Sequence, residues 1–177
     1  MSSKLLRALA SIGGLAFIAD GVIELAHRQH DPFTVAADYL IEAALACGLL
    51  LTLGGFFALH LRQERDLGGL GAWAFRVAIA GQGTLGVVAL ATLARGEDAL
   101  GPVFPLAVLA WAGGTIAYAV ATDRARVLPR WTAPALGLAT IAGIALDPGG
   151  AIVLGVLWLA LTATVTGKRY RLRPAVA

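Results

Sequence analysis

Four carboxylates near the start of the chain lie inside stretches that are otherwise apolar. Asp20 and Glu24 form one pair and Asp38 and Glu42 a second, and each pair has the spacing i, i+4. On an α-helix this spacing places both side chains on one face. Carboxylates within apolar helices bind cations, share protons or act as general acids and bases. The pattern therefore predicts a cation or acid-base site on two neighbouring helices.

Two histidines stand between the carboxylate pairs, at or near the loop that joins the two predicted helices. His27 shares the face of Asp20 and Glu24, and His30 follows in the loop. Imidazole and carboxylate groups are suitable ligands for a divalent metal ion. Glu24, His27 and His30 are therefore a candidate metal site, with Asp31 as an alternative carboxylate. A solvated polar loop without a metal explains the same residues.

The surrounding composition is that of a membrane protein. The chain has 177 residues, of which 58% are hydrophobic and 14% charged, whereas soluble domains carry about 25% charged residues. A helix needs roughly 20 mostly apolar residues to cross a hydrocarbon core of about 30 Å. The sequence predicts an all-α bundle of about six transmembrane helices, forming one membrane domain over residues 1–177, with spans at about 5–26, 33–60, 70–94, 103–122, 131–146 and 151–167.

The basic residues assign an orientation to these spans. Of the 14 Lys and Arg residues, only Arg28 and Arg95 fall in loops on one side, and the others lie at the N-terminus, around the second and fourth loops and in the tail. Cytoplasmic loops are enriched in Lys and Arg, so both termini are predicted to be cytoplasmic. The net charge of +3 has the same explanation, and no basic patch indicates nucleic-acid binding. The bias toward Arg, Ala and Gly is what we expect of a bacterial inner-membrane protein.

This orientation puts the four acids in the outer half of the membrane. With the predicted boundaries, Asp20 and Asp38 both lie about 8 to 9 Å below the outer helix ends, with Glu24 shallower and Glu42 deeper. An ionised acid at the centre of a span costs about 2.5 to 3.5 kcal/mol, so such residues face the bundle interior or a wet cavity. We expect the acids to bind a cation or to share protons. Alternatively, they are hydrogen-bonding contacts between helices.

Two further groups of residues are candidates for binding. Gln82 interrupts the third span, while Trp111 and Trp158 lie near the middle of later spans, so these three are candidate pocket residues beside their simpler role in packing. Gly113, Ala117 and Ala121 form a stripe of small residues on the fourth span. Such stripes let helix backbones approach closely, either inside a bundle or in a homo-oligomer.

Several reaction classes lack their sequence motifs. The chain has no phosphate-binding glycine loop, no Gly-x-Ser-x-Gly elbow and no His-Glu-x-x-His helix. Cys47 is the single cysteine, so neither a disulfide nor a cysteine-based metal site can form within one chain.

Three functions remain in competition. The first is a membrane protein whose outward-facing acidic site binds a cation, a proton or a small ligand, in transport, sensing or an accessory role. The second is a membrane-embedded acid-base enzyme acting on a lipophilic, isoprenoid-like substrate, with Trp111 or Trp158 stabilising positive charge. The third is a structural or partner-binding subunit. The sequence leaves open whether the chain is an enzyme and whether a divalent metal ion is its cofactor.

Overall fold

The chain folds into six α-helices. The computed structural model describes residues 3–99, 101–146 and 149–166, and all of its regular secondary structure in these ranges is helical. The helices are α1 (Ser3–Ala26), α2 (Ala36–Gln63), α3 (Gly68–Arg95), α4 (Val103–Ala125), α5 (Thr132–Ala145) and α6 (Gly150–Thr166). The predicted basic tail, at residues 168–173, lies outside the described ranges. The all-α prediction is confirmed.

Four of the helices can cross a membrane by length and composition. These are α1, α2, α3 and α4, whose spanning segments contain 23 to 28 residues. Helices α5 and α6 are apolar as well but have 14 and 17 residues. At 1.5 Å per residue they are about 21 and 26 Å long, less than a hydrocarbon core of about 30 Å. Four candidate spans are compatible with the predicted helical membrane bundle.

Helix α2 begins at Ala36, later than the residue 33 predicted from the apolar pattern. The backbone amides of Thr34 and Val35 donate hydrogen bonds to the side chain of Asp38, which ties these two non-helical residues to the start of the helix. Asp38 therefore lies in the first turn of α2. The prediction that Asp38 lies about as deep as Asp20 was wrong, because apolar character alone does not show where helical hydrogen bonding starts.

The helices are arranged in a closed ring. Each packs against its neighbours along the chain, α6 returns to pack against α1, and α2 also contacts α6. Consecutive helices are antiparallel, as short connections require. Consequently the α1–α2 loop and the α3–α4 loop lie at the same end of the bundle. The two loops are in contact, because the Phe33 amide donates a hydrogen bond to the Gly96 carbonyl at 2.7 Å.

Glycines lie where helix backbones come closest. A Cβ atom built on Gly81 of α3 would overlap the backbone nitrogen of Trp111 in α4, and one built on Gly114 would overlap the backbone of Ala78 in return. The same relation joins α1 to α6 through Gly14 and Gly155. These contacts allow the close packing that stabilises helix pairs in membranes.

The predicted small-residue stripe on α4 does not act as a unit. Gly113 is exposed and a Cβ atom built there would meet nothing within 4 Å, Ala117 is half-buried, and Ala121 is buried in the bundle. The glycine that packs against α3 is the adjacent Gly114. An oligomer contact through this stripe stays a prediction. Only Gly113 and Ala117 are accessible to a second copy of the chain, because Ala121 is buried in the bundle.

We predict that Gly81→Ala lowers the thermal unfolding midpoint of the protein in detergent. The added methyl group would overlap backbone atoms of α4, and overpacking of this kind costs about 1 to 3 kcal/mol or more. The matched change Gly113→Ala adds the same methyl group in open space on α4. It should leave the midpoint unchanged or slightly raised, since Ala favours helix more than Gly does. Equal losses in both variants would contradict the packing described for α3 and α4.

Candidate functional site

The packing of α1 against α2 determines which residues face each other near their connecting loop. A Cβ atom at Gly13 would lie 2.8 Å from the Thr52 nitrogen, and one at Gly48 would lie 2.6 Å from the Phe17 ring. Residue 13 is thus level with residue 52, and residue 17 with residue 48. Continued along this antiparallel pair, the same register places residue 23 level with residue 42 and residue 27 level with residue 38.

His27 and His30 meet the carboxylate of Asp38 at this end of the hairpin. The His27 Nε2 atom lies 3.1 Å from Asp38 Oδ1, and the His30 Nδ1 atom lies 3.2 Å from the same oxygen. The two rings are in contact, with their centroids 5.1 Å apart. His27 is partly exposed and His30 is exposed, whereas the Asp38 side chain is 0% exposed.

Backbone amides hold the Asp38 carboxylate in place. The His30 amide donates to Oδ1 at 3.0 Å, while the amides of Thr34 and Val35 donate to Oδ2 at 2.8 and 3.0 Å. Hydrogen bonds to an ionised acceptor are roughly twice as strong as neutral ones. Asp38 therefore fixes the loop between α1 and α2 as well as the two imidazole rings.

The other three acids of the predicted site, Asp20, Glu24 and Glu42, lie deeper along the bundle than Asp38 and close together. Asp20 and Glu42 are 4% and 6% exposed, and Asp20 interacts electrostatically with both Glu24 and Glu42. The register of α1 against α2 places Glu42 beside residue 23. Along the helix axis, Glu42 therefore lies between Asp20 and Glu24. The side-chain amide of Gln29, from the loop, donates to Glu42 Oε2 at 3.4 Å. The predicted carboxylates of α1 and α2 thus converge through Glu42, while Asp38 lies about 10 Å nearer the loop than Asp20.

The loop between α3 and α4 adds a further acid to this end of the bundle. The backbone amide of Asp98 donates to Asp31 Oδ1 at 3.2 Å, and the Asp98 carboxyl interacts electrostatically with Glu42. Partial burial and, secondarily, the charge of Asp31 raise the pKa of the Asp98 carboxyl above its ordinary value. Acidic side chains therefore gather around Glu42 from three segments of the chain.

The metal-ligand set differs from the one proposed on sequence grounds. The predicted set was Glu24, His27 and His30, but the ligand atoms that come within 4.8 Å of one another in the described residues belong to His27, His30 and Asp38. Glu24 lies outside this group. Asp38 was left out of the predicted set because it was assigned to the interior of a span. The available signal was an acidic residue in the first turn of a helix that follows a proline, which is typical of a helix start.

The candidate pocket residues belong to other parts of the bundle. Gln82 donates to the Leu49 carbonyl and to Thr52 Oγ1, both at 2.7 Å, and so joins α3 to α2. Trp111 and Trp158 line a small cavity of about 10 Å³, which is at the lower limit for one water molecule. Trp158 packs against Gly55, which lies about 20 Å along α2 from Glu42. These three residues therefore do not share a site with the acids.

Comparison of the chain with protein-family models, with curated proteins and with solved structures finds no match.

We predict that Asp38→Ala lowers the free energy of unfolding by at least about 2 kcal/mol. The change removes the acceptor for three backbone amides and two imidazole rings, and a hydrogen bond to a charged group contributes about 1.5 to 3 kcal/mol. Denaturant or thermal unfolding in detergent measures the effect. Asp66→Ala, at an exposed position between α2 and α3, is the control and should stay within about 0.5 kcal/mol of the wild type. Matching stabilities for the two variants would show that Asp38 does not organise the loop.

Proposed function

We infer that this chain is an integral membrane protein that binds a small cation, a proton included, at the outer end of the α1–α2 hairpin. One observation carries this proposal: Asp20 of α1 and Glu42 of α2 are both buried, and they interact with each other and with further acids. Like charges brought together in a poorly solvated place favour uptake of positive charge.

The partners of these two acids support the same conclusion. Within the described ranges, no Lys or Arg side chain forms an ion pair with Asp20 or Glu42, and the ion pairs found at this end join Asp38 to His27 and His30. Only the Gln29 amide donates to Glu42 there. A bound cation would supply the positive charge that no described Lys or Arg side chain brings to Asp20 and Glu42.

Two features support a membrane location with this site facing outward. Large apolar side chains are exposed on the outside of the ring, among them Leu106, Leu109 and Leu138 at 67, 69 and 64%, as lipid-facing positions require. The distribution of Lys and Arg described above supports six spans with cytoplasmic termini, which puts the α1–α2 loop on the outer face of a bacterial inner membrane.

The enzyme alternative receives less support. An acid-base enzyme on an isoprenoid-like lipid would need the carboxylates and the aromatic rings around one cavity. Trp111 and Trp158 instead surround a cavity of about 10 Å³, at a level of the bundle about 20 Å from Glu42 along α2. The geometry therefore favours binding of a cation over chemistry on a lipid.

The proposal predicts an unusual response to removal of charge. The double variant Asp20→Asn, Glu42→Gln should be more stable than the wild type without added cations, by about 1 to 3 kcal/mol, since neutral amides relieve the cost of buried, mutually repelling acids. It should also lose stabilisation by cations, which for the wild type amounts to about 2.7 kcal/mol at a concentration of 100 Kd. Thermal unfolding across pH and a panel of Na⁺, K⁺, Mg²⁺ and Ca²⁺ measures both quantities.

A matched variant separates this effect from general loss of charge. Glu97→Gln removes an exposed acid from the loop between α3 and α4, and it should respond to cations as the wild type does. If the double variant is less stable than the wild type and keeps the full cation response, the acids are interhelical contacts and the proposal fails.

A further inference from the structure

The nitrogen and oxygen atoms around Asp38 Oδ1 have the arrangement of a metal-ligand set. His27 Nε2 and His30 Nδ1 lie 3.1 and 3.2 Å from this oxygen, and all three atoms lie within 4.8 Å of one another. Zinc bonds of about 2.0 to 2.2 Å in a tetrahedron put neighbouring ligand atoms about 3.3 to 3.5 Å apart. The two histidine-to-aspartate separations are close to that value, and the two ring nitrogens lie within 4.8 Å of each other.

Hydrogen bonding alone does not account well for this arrangement. Three nitrogen atoms converge on Oδ1, namely those of the two rings and the His30 amide. A carboxylate oxygen offers about two lone-pair positions, so three donors exceed what it accepts. A metal ion bound by His27 Nε2, His30 Nδ1 and Asp38 Oδ1 would use one lone pair of each ring. The hydrogen bond from the His30 amide to Oδ1 would remain in place.

The carboxylate is already held as a metal ligand needs to be. Its second oxygen, Oδ2, is occupied by the Thr34 and Val35 amides, so Asp38 can offer a metal one oxygen only. Partners of this kind orient the ligand and fix its position before the metal arrives. The buried carboxylate forms the floor of the site, and the side chains of His27 and His30, which are 30% and 53% exposed, lie between it and solvent.

We propose that His27 Nε2, His30 Nδ1 and Asp38 Oδ1 bind a divalent transition-metal ion of the zinc class, with one coordination position left open to solvent. This proposal goes beyond the proposed function: it adds a second cation site at the same end of the hairpin, and its ligands are residues other than Asp20 and Glu42. Two imidazoles and one carboxylate suit Zn²⁺, Co²⁺ or Ni²⁺. Ca²⁺ would require six to eight oxygen ligands, and Mg²⁺ near-ideal octahedral oxygen coordination.

The test uses Co²⁺ as a spectroscopic probe. The full chain, purified in detergent without a polyhistidine tag and stripped of metal with a chelator, is titrated with Co²⁺ and then with competing Zn²⁺. The wild type should bind one equivalent, with the intense visible absorption of tetrahedral Co²⁺, and Zn²⁺ should displace it. His27→Gln and His30→Gln should each weaken Co²⁺ binding at least tenfold, because each removes one of three ligands.

His60→Gln is the matched control. His60 lies toward the other end of α2 and stacks on Phe75, with ring centroids 3.9 Å apart, so this variant should bind Co²⁺ as the wild type does. Thermal unfolding in the presence of chelator checks that His27→Gln and His30→Gln remain folded, which their partial exposure favours. Unchanged Co²⁺ affinity in these two folded variants would overturn the proposal, as would weak binding with only the spectrum of octahedral Co²⁺.

The double variant Asp20→Asn, Glu42→Gln distinguishes this proposal from the cation site of the deeper acids. It should retain the tetrahedral Co²⁺ spectrum while it loses the stabilisation by other cations. If the histidine variants bind Co²⁺ normally and the double variant loses its cation response, the zinc-class site is wrong and the acid site stands. If the histidine variants lose Co²⁺ and the double variant behaves as the wild type, the acid site is wrong and the metal site stands.

Discussion

Close approach of helix backbones at glycine is the constraint on which the rest of this bundle depends. Lipid chains are as apolar as leucine, so helices within a membrane associate through packing and hydrogen bonds instead of through the hydrophobic effect. Gly81 and Gly114 bring α3 and α4 together, Gly14 and Gly155 do the same for α1 and α6, and Gly13 lets α1 approach the backbone of α2 at Thr52. Larger residues at these positions would separate the helices and remove the contacts along their whole length.

The same constraint builds the candidate site, although the glycines lie far from it. Gly13 and Gly48 determine the register of α1 against α2, and that register alone puts His27 level with Asp38. An α-helix is rigid over these lengths. If α1 were shifted along α2 by one turn at the glycines, the His27 imidazole would therefore move about 5.4 Å relative to Asp38. The His27–Asp38 contact at 3.1 Å is therefore a consequence of packing roughly 14 residues away along α2.

Local patterns in the sequence were sufficient for the helices and for the residues that share one helix face. The i, i+4 spacing correctly paired Asp20 with Glu24, and the apolar stretches located all six helices. What depends on a neighbouring helix was not accessible in this way. Gly113 and Gly114 are adjacent in the sequence, and only the position of α3 decides that Gly114 is the packed residue. The start of α2 was also missed, since Phe33 to Val35 are apolar enough to continue a helix. In the structure their amides donate elsewhere: those of Thr34 and Val35 to the Asp38 carboxylate, and that of Phe33 to the Gly96 carbonyl.

Polar residues on the core-facing side of α2 have two different roles, and their partners tell these apart. Toward the middle and the far end, Thr52 accepts from Gln82, and Gln63 donates to the hydroxyls of Tyr118 and Thr122 at 2.8 and 3.0 Å. Each of these contacts pairs a donor with an acceptor on another helix, which is how polar groups stabilise a membrane bundle. Glu42, on the same helix, instead interacts with other acids, Asp20 and Asp98 among them. Interhelical hydrogen bonding accounts for the Thr52 hydroxyl and the Gln63 amide nitrogen, but it gives no reason for a carboxyl group to be buried against another carboxyl group. A positive charge taken up between them does give such a reason.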